Sequence, residues 1–274
     1  MNTVKLNNGV TMPQLGFGVW QVPDAEATPA VTEALQAGYR SIDTAAAYGN
    51  EGGVGAAIAQ SDVDRSDVFV TTKLWNADHG HDSALRAFDA SQSKLGLDVV
   101  DLYLIHWPTP ARDLYVDTWK AFVELREEGR VRAIGVSNFQ PAHLQRLIDE
   151  TGVVPAVNQV ELHPYLQQAE LRAFHEKHGI HTEAWSPLGQ GGELLEDPVV
   201  TEIAARHDRS AAQVVLRWHL QIGNIVIPKS VTPARIRENI DVFGFELADE
   251  EIAALSTLDR GGRIGPNPDE FNGS

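Results

Sequence analysis

Eight short apolar segments recur along the chain, and seven of them end at, contain or precede a polar or aromatic side chain capable of chemistry. The segments are continuously apolar, as is typical of parallel strands buried on both faces. They span residues 15–19, 39–43, 68–73, 99–106, 131–138, 156–161, 181–186 and 225–227. The stretches between them repeat apolar residues with helical spacing. This alternation predicts a (β/α)8 TIM barrel with its site at the C-terminal rim of the strands.

Glycines and prolines predict where several of the other elements begin and end. Residues 1–14 read as an N-terminal β-hairpin, with Asn8-Gly9 as a type I′ turn. The first helix is predicted to have Thr28 as its N-cap, Pro29 at its first position and Gly38 as its terminator. Further helices are predicted at 50–59, 83–95, 116–128, from Pro141 onward and at 168–178.

Two helical patterns occur before the last strand, where a simple eightfold repeat has room for only one. Residues 199–207 and a segment opening with the capping box Ser210-Ala-Ala-Gln213 both precede the last strand, and only one can be the barrel helix. Another helix begins near Asp249, after the eighth unit, so two extra helices are expected outside the barrel. Residues 261–274 read as a flexible C-terminal tail. With no linker or change in composition, residues 1–274 are predicted to form one domain.

Composition restricts the partners and the compartment. The formal net charge of −16 argues against nucleic acids and anionic membranes as partners. An anionic ligand would need a local cluster of Lys or Arg. The chain has no cysteine, which excludes disulfides, thiolate nucleophiles and Cys-ligated zinc. The first residues lack an apolar signal region and no segment reaches membrane-spanning length, so a cytoplasmic protein is expected.

Four side chains at successive strand ends make chemical sense as one group. A free phenol has a pKa of about 10, too high for ready proton donation. A nearby ammonium lowers that pKa, a carboxylate keeps the ammonium charged, and an imidazole can align a substrate carbonyl. Asp43, Tyr48, Lys73 and His106 supply these groups. Any one of them alone would more often be a surface or core residue, but together they indicate a proton donor to a carbonyl oxygen.

A second cluster follows the eighth strand. Lys229 and Ser230 precede a helix that opens with Thr232 and Pro233 and carries Arg235. Phosphate sites on TIM barrels commonly use this rim position and a helix N-terminus. The alternative is an ordinary helix start with exposed basic residues; a phosphate site is favoured.

These motifs together resemble the aldo-keto reductase family over nearly the whole chain. The motifs are Gly-Tyr-Arg-Ser-Ile-Asp43-Thr-Ala-Ala-Ala-Tyr48-Gly-Asn-Glu51, Thr-Thr-Lys73-Leu-Trp75, Asp101-Leu-Tyr-Leu-Ile-His106-Trp107-Pro, Ile-Gly-Val-Ser137-Asn138-Phe, Asn158-Gln159-Val-Glu-Leu-His163-Pro and Ile-Pro-Lys229-Ser. Val-Val-Pro-Ala-Val-Asn-Gln and Trp185-Ser-Pro-Leu-Gly-Gln190-Gly are most similar to the prokaryotic branch that includes the 2,5-diketo-D-gluconate reductases.

The resemblance implies NADPH-dependent reduction of small aldehydes, dicarbonyls or ketones, in a monomer that needs no metal. Tyr48 would donate the proton, Lys73 paired with Asp43 would lower the pKa of Tyr48, and His106 would position the carbonyl. Ser137, Asn138 and Gln159 would bind the nicotinamide carboxamide, and Trp185 would stack on its ring. The remaining cofactor-binding positions would be Val19, Trp20, Asp43, Ser186, Leu188, Gly189, Gln190, Lys229, Ser230, Val231, Arg235, Glu238 and Asn239. A 2′-phosphate would give Lys229 and Arg235 a partner that NADH lacks.

The expected substrate pocket is walled by Trp20, Tyr48, Trp75, His106 and Trp107. Each tryptophan alone could equally be a core residue, but all three lie near predicted strand ends. Trp20 stands where the diketo-gluconate reductases tend to have a smaller aromatic residue, which favours a tighter pocket.

Three other functions remain open. Lys73 or Lys229 could form a Schiff base in a lyase, although Asp43 favours the unreactive ammonium. His79-Gly-His81 could belong to a metal-dependent hydrolase, although both histidines fall in a loop. The chain could also be a catalytically silent NADPH-binding protein, although all four proton-relay residues are present.

Overall fold

A computed structural model describes residues 2–273 and shows eight parallel strands, each hydrogen-bonded to its neighbour in chain order. The strands are β3 (Phe17–Gly18), β4 (Ser41–Asp43), β5 (Phe69–Leu74), β6 (Val100–Ile105), β7 (Val131–Ser137), β8 (Val157–Glu161), β9 (His181–Trp185) and β10 (Ile225–Val226). A parallel bridge between Leu15 and Val226 joins the first strand to the last. The sheet therefore closes, and the predicted barrel is confirmed.

Ten helices accompany the strands in the described part of the chain. They are α1 (Asp24–Ala37), α2 (Glu51–Gln60), α3 (His81–Leu95), α4 (Tyr115–Glu127), α5 (Pro141–Thr151), α6 (Ala169–His178), α7 (Pro198–His207), α8 (Ala211–Gln221), α9 (Pro233–Ile240) and α10 (Asp249–Ser256). The apolar faces of the helices cover the outside of the barrel in one large core. Helix α8 contacts β10 and α9, whereas α7 packs on α8 and α10. The two extra helices are thus α7 and α10.

The N-terminal hairpin pairs β1 (Thr3–Lys5) with β2 (Thr11–Pro13) and closes the bottom of the barrel. Leu6 and Met12 pack in a second apolar cluster with inward-facing strand residues such as Leu102 and Leu104. The catalytic groups predicted from the sequence lie at the opposite end of the strands. Closing the bottom with apolar side chains leaves the C-terminal mouth as the open end.

Two local predictions were wrong. The hairpin turn is not type I′, because Gly9 has a positive φ of 89° and Asn8 does not. Leu6 N instead bonds Val10 O across a three-residue loop. Helix α1 also begins at Asp24, before the predicted Thr28 cap, and Thr28 Oγ1 donates to Gly53 O instead.

Contact between helices explains the early start of α1. The carboxylate of Asp24 accepts a hydrogen bond from Gly53 N at the start of α2. Pro29 then lies inside α1, where it removes one helical hydrogen bond. Pro29 and Ala25, whose carbonyl loses that donor, are both exposed to solvent, so water can satisfy the carbonyl.

The C-terminal segment is docked on the barrel mouth, in contrast to the flexible tail that was expected. Ile264 N and Gly265 N donate to the two carboxylate oxygens of Glu161, at 2.6 and 2.8 Å. The ring of Phe271 lies 4.6 Å from that of Trp107. Asn76 Nδ2 donates to Gly273 O at 2.7 Å. The buried Glu161 carboxylate accepts these backbone N–H groups, and the two hydrogen bonds hold the polar C-terminal segment in place.

Candidate active site

A buried ion pair forms the floor of the barrel mouth. Lys73 Nζ donates to Asp43 Oδ1 at 2.6 Å and to Thr44 O at 2.9 Å. It also lies 3.4 Å from the hydroxyl of Tyr48. Lys73 is the penultimate residue of β5 and Asp43 is the last residue of β4, while Tyr48 lies in the short 3₁₀ helix Ala46–Tyr48 that follows β4. Adjacent parallel strands bring their C-terminal ends to one rim, so the three groups meet.

His106 packs against two aromatic rings at the mouth, those of Tyr48 and Trp75. Its ring centroid is 5.7 Å from that of Tyr48 and 5.3 Å from that of Trp75, edge to face in each case. Burial, together with the charge of Lys73, lowers the pKa of His106 well below its ordinary value. The imidazole is therefore neutral at neutral pH, with one ring N–H to donate. Its Nδ1 is buried and bonds no described residue.

The ionisation of Tyr48 and Lys73 is set by burial and by Asp43. Burial raises the pKa of Tyr48 above its ordinary value, and the positive charge of Lys73 opposes that rise without reversing it. Burial alone would lower the pKa of Lys73, but the Asp43 carboxylate raises it overall. The expected net lowering of the Tyr48 pKa is thus not found. At neutral pH the site presents a neutral phenol next to an ammonium.

Residues in or just after the C-terminal parts of β7, β8 and β9 form one network beside the ion pair. Ser137 Oγ donates to Gln159 O and accepts from Asn138 Nδ2. Trp185 Nε1 donates to Asn138 Oδ1 at 2.8 Å. Gln159 Nε2 donates to Asp43 Oδ2 at 2.8 Å. The four predicted nicotinamide-binding residues therefore lie together and are connected to Asp43.

The backbone turns sharply after two of these strands. Asn138 has a φ of 63° and Ser186 a φ of 47°, in the left-handed region that non-glycine residues seldom adopt. Such strain is most often retained at ligand sites. The loop after Ser186 contains Leu188 and Gly189, which are partly buried, and Gln190, which is exposed.

The predicted phosphate cluster lies at the start of α9. Lys229, Val231 and Arg235 are exposed, whereas Ser230 and Asn239 are buried and Glu238 is partly buried. Ser230 Oγ accepts from Thr232 N, so Ser230 rather than the Thr232 side chain satisfies this turn. Within residues 2–273, neither Lys229 nor Arg235 forms a salt bridge, although Arg237 on the same helix pairs with Glu33.

The structure places the predicted pocket tryptophans in two environments. Trp75 and Trp107 lie at the mouth, Trp75 against His106 and Trp107 against Phe271. Trp20 stands on the loop after β3 with 42% of its surface exposed. Val19 beside it is buried, and its carbonyl accepts from Asn50 Nδ2. Phe271, which the sequence did not indicate, completes the wall from the C-terminal segment.

Sequence reasoning missed two buried acids in this region. Glu183 Oε2 accepts from Gln159 Nε2 at 2.9 Å, and Glu161 binds the tail. Each is an acidic residue inside a predicted buried strand, a signal that could have identified both. Burial and the charge of Asp43 raise the pKa of Glu183 to about 8, against the Gln159 hydrogen bond.

The structure gives other roles to His79 and His81, considered above for a metal-dependent hydrolase, and to Lys73, considered for a Schiff-base lyase. His79 Nδ1 lies 3.2 Å from Thr109 Oγ1, and burial lowers the pKa of His79 to about 4. His81 lies on the surface beside Asp82 and Glu124. The raised pKa of Lys73 keeps it an ammonium, which cannot attack a carbonyl to form a Schiff base. No helix within residues 2–273 is long and apolar enough to span a membrane.

Comparisons with known proteins agree on one family. Residues 12–260 match the Aldo/keto reductase family. An aldo-keto reductase of Mycobacterium sp. (strain KMS) is 60% identical over 98% of this chain and 97% of its own length. The methylglyoxal reductase DkgA of Escherichia coli (strain K12) is 53% identical over 98% of both chains. The crystal structure of a Gox0644 mutant in complex with NADPH superposes with a TM-score of 0.95, at 53% identity and 98% coverage of both chains. The chain described here therefore belongs to the aldo/keto reductase family.

Proposed function

We propose that this protein reduces the carbonyl group of small aldehydes, dicarbonyls and ketones with NADPH, and that Tyr48 donates the proton. The observation that carries the proposal is the phenol of Tyr48, placed 3.4 Å from the ammonium of Lys73 at an open mouth. Lys73 in turn is paired with buried Asp43. The names of relatives that reduce methylglyoxal or bind NADPH support the same conclusion.

The residues at the mouth fit a nicotinamide cofactor. The oxygen of the Gln159 carboxamide accepts no hydrogen bond from residues 2–273, so it is free to accept from a ligand amide. Asn138 and Ser137 lie beside it, and the partly exposed Trp185 ring offers a surface for stacking. NADPH, when bound, supplies the hydride.

The chain's own groups would manage the proton and the carbonyl. His106, neutral and with Nδ1 buried, can direct Nε2 to a carbonyl oxygen. Tyr48 donates its proton to the same oxygen as negative charge develops there. Lys73 stabilises the phenolate left on Tyr48, and Asp43 keeps Lys73 charged and oriented. The apolar walls of Trp75, Trp107 and Phe271 exclude water and favour small substrates.

The cations near α9 support NADPH over NADH. Lys229 and Arg235 are exposed and unpaired by acids in the described chain, in a protein of net charge −16. A 2′-phosphate would supply about two negative charges at this position. We assign Ser230, Val231, Glu238 and Asn239 to the surrounding adenosine subsite on the same basis.

We also infer a cytoplasmic monomer of one domain. Large apolar side chains exposed within residues 2–273 are Trp20, Val231 and Ile264, two of them at proposed ligand positions. Stable protein interfaces usually need a larger apolar patch. Light scattering on the purified protein should give a mass near 30.0 kDa; twice that mass would contradict the inference.

The direct test is NADPH oxidation with methylglyoxal, run on the wild type and on Tyr48→Phe. Loss of the proton donor should lower kcat/KM by about 10²–10⁴-fold, while the Kd for NADPH stays nearly unchanged. Tyr115→Phe on α4 is the matched control, because the Tyr115 hydroxyl contacts Arg146 and bonds none of the four proposed catalytic groups. Comparable turnover in Tyr48→Phe and wild type would show that another group donates the proton. Absence of wild-type turnover over a panel of carbonyls would contradict the function itself.

A further inference from the structure

We propose that Glu183 is a positioning residue of this active site, which fixes the Gln159 carboxamide in one orientation. Its charge, set by the neighbouring Asp43–Lys73 pair, also makes the affinity of the site depend on the charge of the cofactor's nicotinamide ring. The proposal rests on the function proposed above. Glu183 is fully buried on β9 and touches neither the mouth nor the proton donor. Its contact is with Gln159, its register neighbour on β8.

The hydrogen-bond geometry determines which way the Gln159 amide points. Gln159 Nε2 lies 2.8 Å from Asp43 Oδ2 and 2.9 Å from Glu183 Oε2. A carboxamide nitrogen has two N–H donors, and both are used here. If the carboxamide flipped, its oxygen would lose the bond to Asp43 and would face the negative charge of that carboxylate. The two acids therefore keep the oxygen of Gln159 directed to the nicotinamide subsite.

Charge balance decides the state of Glu183 at neutral pH. The charged or titratable groups facing it are Asp43 from β4, Lys73 from β5 and the Tyr48 phenol after β4. The adjoining strands add none, because β8 contributes the uncharged Gln159 and β10 the apolar Ile225 and Val226. Lys73 can balance only one carboxylate, and that carboxylate is Asp43 at 2.6 Å. A second charge without a partner is costly in a buried site, so Glu183 is neutral.

Alkaline pH should change this balance. The pKa of Glu183, raised to about 8 by burial and by Asp43, places its ionisation within an accessible range. Ionised Glu183 adds a negative charge that raises the pKa of Tyr48 further. The same charge favours the positively charged nicotinamide ring of NADP⁺ over the neutral ring of NADPH. The ratio of the two affinities should therefore depend on pH through Glu183.

Two substitutions separate orientation from charge. Glu183→Gln keeps the shape and the acceptor but cannot ionise, whereas Glu183→Leu has similar size without an acceptor. Glu51→Gln is the control, since Glu51 is another buried acid, bonded to Thr72 Oγ1 and not to the site. The measurements are the Kd of NADPH and of NADP⁺ by protein fluorescence, and kcat/KM with methylglyoxal, each over pH.

We expect Glu183→Leu to weaken NADPH binding and lower kcat/KM by about 5- to 100-fold, the usual effect of an unsatisfied buried N–H. Glu183→Gln should stay within about twofold of wild type at neutral pH, because it reproduces the neutral acid. In the wild type the Kd ratio of NADPH to NADP⁺ should rise above about pH 8, and in Glu183→Gln it should be flat.

Three results would overturn the proposal. Wild-type affinity and rate in Glu183→Leu would remove the positioning role. A Glu183→Gln variant as impaired as Glu183→Leu would show that the neutral form is not the working one. The same pH dependence in wild type and Glu183→Gln would remove the coupling to cofactor charge, and this comparison decides even if Glu183→Leu fails to fold. Because the Kd ratios need no turnover, they remain decisive if no carbonyl substrate is found.

Discussion

Replacing Lys73 by Met tests whether the buried ion pair is required for both stability and chemistry. The Lys73 side chain is completely buried, and its Nζ bonds Asp43 Oδ1, Thr44 O and, at 3.4 Å, the Tyr48 hydroxyl. Met has a similar length and no charge, so it fills the same space. The variant leaves Asp43 buried with one remaining donor, Gln159 Nε2.

The expected cost follows from that uncompensated charge. Removing one partner of a buried ion pair typically lowers the free energy of unfolding by about 3–5 kcal/mol. The phenolate of Tyr48 also loses its stabilising ammonium, so kcat/KM should fall by about 10²-fold or more. Urea denaturation followed by tryptophan fluorescence measures the first effect, and NADPH oxidation measures the second.

The double variant Asp43→Asn/Lys73→Met distinguishes charge from packing. With no buried charge left, it should recover most of the lost free energy of unfolding, because a neutral replacement of a buried pair is often tolerated. Its activity should remain as low as that of Lys73→Met. The reasoning would be refuted if Lys73→Met had the same urea midpoint of unfolding as the wild type. It would also be refuted if the double variant were less stable than either single variant.

Three further substitutions test separate parts of the molecule. Arg235→Ala should raise the Kd of NADPH by about 10-fold, as expected for a charge-assisted hydrogen bond, and leave that of NADH unchanged, both measured by fluorescence titration. Gly265→Ala should displace the tail, because its Cβ would lie 2.6 Å from Trp185 Cη2 and 3.0 Å from Glu161 Oε2; faster tail proteolysis and weaker NADPH binding would show this. His175→Gln should flatten the acid side of the stability profile by about 1.4 kcal/mol per pH unit, measured by urea denaturation at several pH values. Burial lowers the pKa of His175 from 6.5 to about 3, so the unfolded chain binds the extra proton and wild-type stability falls as pH decreases through that window.

Each of these has a matched comparison. Arg237→Ala is the control for Arg235→Ala, because it alters the same helix at a residue that is paired with Glu33. Equal losses of affinity for NADPH and NADH in Arg235→Ala would contradict the 2′-phosphate assignment. Gly244→Ala is the control for Gly265→Ala, because its Cβ would lie in ordinary contact, 3.5 Å from Arg209. An undisturbed tail in Gly265→Ala would show that the contact with Trp185 is loose. Identical slopes for wild type and His175→Gln would show that His175 does not titrate as proposed.

The sequence determined the barrel and the membership of its rim because both depend on local pattern. A parallel strand buried on both faces needs a continuous apolar run, and its last residue must lie at the mouth. Asp43, Lys73 and His106 could therefore be assigned to one site before the structure was known. Gly38, which ends α1, was found for a similar reason, since a left-handed C-cap favours Gly.

Contacts between distant segments decided the features that were missed. Helix α1 begins early because Asp24 bonds Gly53 on the next helix. The C-terminal segment is ordered because Glu161, about a hundred residues away in the chain, accepts its backbone N–H groups. In both cases the local sequence does not show the distant partner that fixes the segment.

Ionisation states also required the tertiary structure. The sequence correctly indicated that Lys73 opposes a high pKa at Tyr48, yet the net direction depends on how much water the fold removes from the phenol. Glu183 reads as one acidic residue in an apolar strand, and only barrel closure places it against Gln159 and within the field of Asp43. Residue pattern thus determined which groups reach the rim, whereas burial and long-range packing decided their charges, because desolvation depends on the whole enclosure rather than on neighbours in sequence.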